Sequence, residues 1–220
     1  MSFDTLAPHY DWMEFFLAGQ KLQRCRVAFL DQIVCPRNIL ILGEGHGRGV
    51  VECVRRFPNV PITCVEASAS MIAIARRRLR RNFGETRQVN FVHADALSWK
   101  PPEAAFDLII AQFFFDCFRR EQLAQLIPAV AARAMPRTDW LIADFQNAPC
   151  GFRRVRSRLI LAMMYIFFRA VARLSARQLT PPDEWLKQSG FTLHRREEGE
   201  WNLLRSDWWK KNEPSPGSVF

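Results

Sequence analysis

Asn38-Ile-Leu-Ile-Leu-Gly-Glu-Gly-His-Gly-Arg-Gly49 drives an apolar, β-prone segment into a loop with glycine at 43, 45, 47 and 49. Val50-Val51-Glu52-Cys53-Val54-Arg55-Arg56-Phe57 follows with helical character. A buried strand that breaks into a glycine-rich turn and then a helix is how open α/β sheets form a nucleotide-sized crevice. Glycine takes positive φ and brings no Cβ to hold a ligand away. A dinucleotide fingerprint needs its third glycine three residues after the second. Arg48 and Val50 occupy the two places where it would fall. The NAD reading fails there.

Working outward, short apolar runs alternate with segments of helical period. Strands are expected near 38–42, 61–65, 89–93, 106–111 and 139–144, and helices near 48–57, 68–82, 119–134 and 182–189. Ser68 or Ser70 suits the N-cap of the second helix, Pro128 should interrupt the third, and Thr180-Pro-Pro-Asp183 marks the start of the last. Such alternation implies a parallel sheet with helices on both faces. Phe191–Glu197 and Trp201–Trp208, joined through Gly199, read as a closing hairpin. Upstream, Phe3, Leu6, Tyr10, Met13, Phe16 and Leu17, then Leu22, Cys25, Val27, Phe29, Leu30 and Ile33, recur at helical spacing until Pro36. The chain thus reads as one domain over 1–211. It comprises a helical cap (1–36), a core (37–145), an insertion (146–180), and a last helix with hairpin (181–211), followed by a disordered tail at 212–220.

The 220 residues, 49% hydrophobic, suffice for one such domain. Six cysteines form no C-x-x-C pair and the four histidines, 9, 46, 93 and 194, show no ligand spacing, so no metal is expected. Buried reduced thiols and a start without basic or apolar leader character point to the cytoplasm. The longest apolar run, Leu159 to Phe168, falls short of the ~20 residues that span a bilayer. Net charge is +9. One basic cluster, Arg76 to Arg81, lies on an expected helix and reads as a solvated face. The other, from Phe152 to Leu179, has arginines at 153, 154, 156, 158, 169, 173 and 177 and no acidic residue. An apolar segment with a basic border suits a lipophilic ligand or contact with an anionic membrane surface, as well as a helix packed on the core.

The alternating glycines precede Glu66 at the end of the second strand, Asp95 after the third, and Phe106-Asp107-Leu-Ile-Ile-Ala111 as the fourth. This ordered set resembles the class I S-adenosylmethionine-dependent methyltransferases over residues 38–145, and more loosely to about 209. The resemblance implies a Rossmann-like, seven-stranded α/β sheet ending in an antiparallel hairpin. It implies S-adenosylmethionine as cosubstrate and S-adenosylhomocysteine as product. Gly43, Gly45 and Gly47 would pass beneath the methionine part, and Glu66 would accept from the ribose hydroxyls. Ala67 and Met71 would flank the adenine, Asp95 would accept from its amino group with Ala96 alongside, and Gln112 and Phe113 would lie near the sulfonium. Phe113 to Phe115 suit either a wall of the site or the core. The family's acid two positions before the first glycine is replaced by Ile41, and Glu44 stands in as the partner of the ammonium group. Phe3-Asp-Thr-Leu-Ala-Pro-His-Tyr-Asp-Trp12 resembles a segment of ubiquinone/menaquinone-type small-molecule methyltransferases, which makes Tyr10 a pocket-closing aromatic.

Alignment of the acceptor with the methyl carbon is the main catalytic task in such chemistry. A base serves only acceptors that must lose a proton; Tyr10, His9, His46, Asp116 and Asp144 are the candidates. A small hydrophobic or aromatic acceptor, reached beneath the 152–179 segment, is the leading reading. An RNA or protein acceptor, and a non-catalytic cosubstrate-binding module, stand as alternatives. Gln112 to Phe118 contains no Asn/Asp-Pro-Pro-Tyr/Phe element, and Pro149-Cys150 alone carries little toward cytosine-C5 chemistry.

Overall fold

In a computed structural model, residues 19–100, 106–172 and 179–212 are described. The elements begin with α1 (Gly19–Val27), a 3-10 turn (Leu30–Gln32), β1 (Ile39–Leu42) and α2 (Arg48–Arg56). Next come β2 (Ile62–Glu66), α3 (Ala69–Phe83), β3 (Val89–His93), β4 (Phe106–Gln112), a second 3-10 turn (Phe115–Cys117) and α4 (Arg120–Ala131). The chain continues with β5 (Ala134–Phe145), α5 (Gly151–Ala172), α6 (Asp183–Gln188), β6 (Phe191–Gly199) and β7 (Leu204–Lys211). The strands form a single seven-stranded sheet in the order β3-β2-β1-β4-β5-β7-β6. β1 to β5 are parallel, and β7 runs antiparallel to both β5 and β6.

Period-two alternation divides the core into two layers. On β1, Leu40 and Leu42 face a cluster with α4 and α6, including Leu123, Ile127, Trp185 and Leu186. Ile39 and Ile41 face the opposite cluster with α2 and the first 3-10 turn, including Val50, Val54, Phe29 and Leu30. β4 and β5 repeat the split, with Ile109 and Trp140 on one face and Leu108 and Leu141 on the other. Full burial of each such aliphatic side chain stabilises by roughly 1.5–3 kcal/mol, so both faces of the sheet resist a register slip. Ile41 therefore fills core on the α2 side, where a carboxylate would lie unsolvated.

Ser68 is the N-cap of α3, its Oγ accepting from the Met71 N–H at 3.2 Å. Pro128 does not interrupt its helix: α4 is continuous through it. Ala124, whose carbonyl loses its helical donor, and Pro128 are both exposed, so water can take that carbonyl. β5 begins at Ala134, earlier than the expected 139, because a register shift opposite Phe106 and Leu108 and a positive φ at Arg137 carry the strand through an irregular stretch. Trp201 lies in the β6–β7 turn rather than in the second hairpin strand, since Glu200, Trp201 and Asn202 all adopt positive φ. Cys35 and Cys150 are exposed, against the expectation of buried thiols; both sit in connecting segments outside the sheet. Arg76, Arg77, Arg80 and Arg81 form an exposed face of α3. The cap residues 1–18, Arg173, Arg177 and the tail beyond 212 lie outside the described residues.

At the far side of the sheet, Arg196 bonds Asp207 through Nε at 2.6 Å and Asp183 through Nη2 at 2.7 Å. Arg205 adds a 3.0 Å contact to Asp183. These pairs fasten α6 to the hairpin and so hold the downstream end of the insertion.

Candidate active site

The strand order reverses direction between β1 and β4, and a crevice opens at such a point outside the carboxyl ends of the strands. The register brings the expected site residues into one row there. Leu42 pairs with Val65 and with Ala111, which sets Gly43 level with Glu66 on one side and Gln112 on the other. Glu66 pairs with His93, two residues before Asp95. Gln112 pairs with Ala143, which sets Phe113 level with Asp144.

Within the loop the glycines answer to different neighbours. A Cβ at Gly43 would overlap the Phe114 ring, and one at Gly47 would lie 2.7 Å from Ala75 Cα. Gly45, at φ +64°, has nothing within 4 Å of the Cβ position. It alone of these three leaves open space above the loop. Glu66 holds the loop to the strand end, its Oε2 accepting from Gly45 N–H and its Oε1 from Ser68 N–H, both at 2.9 Å. A carboxylate offers about four acceptor positions, so it can serve more than one donor at a time.

Glu44 is buried and reaches forward to the start of α2, where its Oε1 accepts from Gly49 N–H at 2.8 Å. It thereby serves the helix N-terminus for which Gly47, the N-cap, has no side chain. Burial pushes its carboxyl up to about 7, against the opposing pull of the Val50 and Gly49 N–H groups and of Arg26. Arg26 was not anticipated as a site residue. It is buried, with its guanidinium 5.0 Å from the centre of the Phe113 ring and its carbonyl accepting from Gln112 Nε2 at 2.9 Å. The signal lay in the cap: residue 26 falls on the apolar stripe of Leu22, Phe29, Leu30 and Ile33, where a cation is out of place.

On the β3 side, Asp95 is exposed and closes a turn, with Oδ1 accepting from Leu97 N–H at 3.0 Å. Its other oxygen has no hydrogen-bond partner among the described residues. Ala67 is exposed at the tip of β2, Ala96 packs half-buried against the core, and Met71 lies in the interior behind Ser68. His93 is turned to the loop, its Nε2 3.1 Å from the Ala67 carbonyl oxygen.

On the β4–β5 side the phenylalanines separate. Phe114 and Phe115 belong to the core. Phe113 is half-buried at φ +52°, its N–H donating to Ala143 O at 2.7 Å and its ring 5.1 Å from that of Phe145. Asp116 and Asp144 are both buried at this end. Burial raises Asp116 to about 6; burial and the neighbouring Asp116 charge raise Asp144 well above the carboxylate range, opposed by Arg205. Two carboxyls so placed retain a proton near neutrality. Leu161 of α5 and Leu203 pack with Cys117, Phe145, Ile160, Met164 and Leu179 as an apolar cover beside them. His46 is buried in the glycine loop. Tyr10 and His9 lie outside the described residues. Among the described residues no group of three potential ligands gathers for a metal.

The sequence profile of a methyltransferase domain matches residues 39–137. Demethylmenaquinone methyltransferase of Thermus thermophilus is 33% identical over 153 residues, 68% of this chain and 66% of that protein. Trans-aconitate 2-methyltransferase of Rhodopseudomonas palustris is 34% identical over 81 residues, 37% of this chain and 28% of that protein. The chain therefore spans just under two thirds of the first relative and between a quarter and a third of the second. Magnesium protoporphyrin IX methyltransferase from Synechocystis with bound S-adenosylhomocysteine superposes with a TM-score of 0.66 at 13% identity, over 95% of this chain and 100% of that one. At that identity the likeness is one of fold. With its glycine loop, its row of acidic strand ends and its 3-2-1-4-5-7-6 sheet, the chain belongs to the class I S-adenosylmethionine-dependent methyltransferases.

Proposed function

We propose that this chain transfers a methyl group from S-adenosylmethionine to a small hydrophobic or aromatic acceptor held between Phe113 and the inner face of α5. The observation that carries this reading is the apolar cover of Leu161, Ile160, Met164, Phe145 and Cys117 beside the strand ends of β4 and β5. The two relatives are themselves named for small molecules, demethylmenaquinone and trans-aconitate.

When bound, S-adenosylmethionine supplies a methyl group on a sulfonium, already a good leaving group. The protein's part is placement. Gly45 leaves the loop open, Glu66 accepts from the ribose hydroxyls, and Asp95 presents its second oxygen to the adenine amino group. Glu44 and Arg26, opposite charges at the methionine end, match the ammonium and carboxylate of the amino acid. Phe113 and Phe145 exclude water from the acceptor. Where the acceptor must lose a proton, the Asp116–Asp144 pair receives it. Positioning of this kind is worth up to about 7–11 kcal/mol of barrier in favourable cases.

Labelled S-adenosylmethionine, incubated with the protein and fractionated cell extract, tests the reading. Label should enter the organic-extractable small-molecule fraction and vanish with Asp95→Ala, whose exposed position spares the fold. Label confined to RNA or protein would overturn the acceptor class. Tight S-adenosylhomocysteine binding without transfer to any fraction would identify a non-catalytic module.

A further inference from the structure

Helix α5 carries apolar side chains on two opposite faces. Its inner face packs Ser157 and Leu161 into the protein, with Ile160 and Met164 half-buried. Its outer face shows Phe152, Val155, Leu159 and Met163, exposed at 74%, 57%, 60% and 64%. These four recur at i, i+3, i+7 and i+11 and, at about 100° per residue, lie within about 80° of arc. A surface helix ordinarily keeps this arc polar. Scattered apolar residues on a surface are normal, but a continuous stripe of them is an interaction signal.

The borders of the stripe are basic. Arg154 and Arg158 flank it on one side and Arg156 on the other, and no acidic residue occurs between 151 and 179. Trp201 stands beside the helix, exposed at 61%, with the Arg153 and Arg156 guanidinium groups 6.0 and 5.6 Å from its ring centre. Its turn holds three successive non-glycine residues at positive φ, 51°, 59° and 66°, a backbone conformation that costs energy and persists where surrounding contacts maintain it. The nearby acid Glu200 is already engaged by Lys21 at 2.7 Å.

We propose that the outer face of α5, with Trp201, docks the protein on an anionic lipid bilayer surface. The four apolar side chains enter the boundary between headgroups and acyl chains, the arginines meet lipid phosphates, and the indole lies at the interface. Charge complementarity selects this occupant. A two-fold contact with a second copy would set α5 against itself, arginine against arginine with no acid to relieve them. Structured RNA would satisfy the arginines and leave the apolar stripe in water. Among the described residues no helix is long and apolar enough to cross a membrane, so the contact is peripheral. Docked this way, α5 carries lipid contact on one face and the acceptor-side cover on the other. The docking itself is independent of which acceptor is methylated, because it is read without any methyl transfer.

Sedimentation with phosphatidylcholine vesicles, with and without a third of phosphatidylglycerol, tests it on the full chain. The protein should pellet with the anionic vesicles, remain in solution with neutral ones, and release as salt rises. Arg154→Gln with Arg158→Gln should weaken partitioning about thirtyfold, at about 1 kcal/mol per arginine near a charged surface. Leu159→Ser with Met163→Ser should abolish it, while S-adenosylhomocysteine affinity and the circular-dichroism melt stay at wild-type values. Should the serine variant fail to fold, the glutamine variant decides alone. Absence from anionic vesicles, or unchanged partitioning of the glutamine variant, would overturn the proposal. So would a dimer in solution that Leu159→Ser converts to monomer, or displacement from vesicles by structured RNA that binds the serine variant equally well.

Discussion

The two sides of the strand-end crevice are built from different materials. On the β1–β3 side, the groups facing the crevice are main-chain N–H donors and carboxylates bonded to them: Glu66 to Gly45 and Ser68, Glu44 to Gly49, Asp95 to Leu97. On the β4–β5 side stand Phe113 and Phe145, two buried carboxyls, and the apolar inner face of α5. In the first region each residue is tied to a backbone position, so a change of one atom is felt. In the second, shape and apolar character dominate, and side chains can change without breaking a main-chain bond. A shared cosubstrate suits the first construction, and a variable acceptor suits the second.

The sharpest test of this contrast lies within the loop itself. Gly45→Val should cut S-adenosylhomocysteine affinity by about a hundredfold or more, a loss of at least about 2.7 kcal/mol. It should leave a folded, somewhat less stable protein, because no atom occupies the Cβ space and the left-handed strain is about 1–3 kcal/mol. Gly47→Val should instead collapse the thermal melt, since Ala75 backbone blocks the way. Calorimetry and circular dichroism on the pair would break the comparison if Gly45→Val bound normally.

Glu44 gives a smaller, pH-dependent effect. With its carboxyl at about 7 in the free protein, contact with a ligand ammonium favours the ionised form, so binding at pH 6 should release most of one proton. Affinity should fall by up to about tenfold per pH unit below 7. Titration calorimetry in two buffers of different ionisation enthalpy reads the proton count, and Glu44→Gln should abolish it. Proton uptake in place of release would remove Glu44 from the ammonium's side.

Asp144 should give the smallest effect, on stability. Its folded carboxyl stays protonated above the unfolded value of about 4, so the unfolded chain loses its proton first as pH rises. Wild-type stability therefore declines from about pH 4 upward through the raised folded value, and Glu44 and Asp116 add in the same direction. Asp144→Asn should melt several degrees above wild type at pH 8 and show no gain at pH 4. Equal melts at both values would place Asp144 in water rather than in the apolar side of the comparison.

Much of the fold was legible because its determinants are local. Unbroken apolar runs, Ile39 to Leu42 and Leu108 to Ile110, mark strands buried on both faces, and the chemistry of serine marked the start of α3 at Ser68 or Ser70, between which the structure chose Ser68. Pro128 misled because an exposed helix end tolerates a lost bond, and β5 and Trp201 because a bulge and a run of positive φ leave no periodic trace. The Glu66, Asp95 and glycine-loop positions were legible because each sits at the end of a strand, where chain order and space coincide.

By itself, the sequence determined the strand–loop–helix at 38–57 and the two-sided sheet, since backbone sterics and apolar period act between near neighbours, and the order of its glycine loop and acidic positions carried the resemblance to the family. Only the tertiary structure decided that Phe113 faces the crevice while Phe114 and Phe115 enter the core. It also brought Arg26 to the site, joined Asp116 to Asp144, and left one apolar face of α5 uncovered. Each of these depends on which distant surfaces meet, and burial of a charge or exposure of a stripe is a property of that meeting rather than of any local spacing.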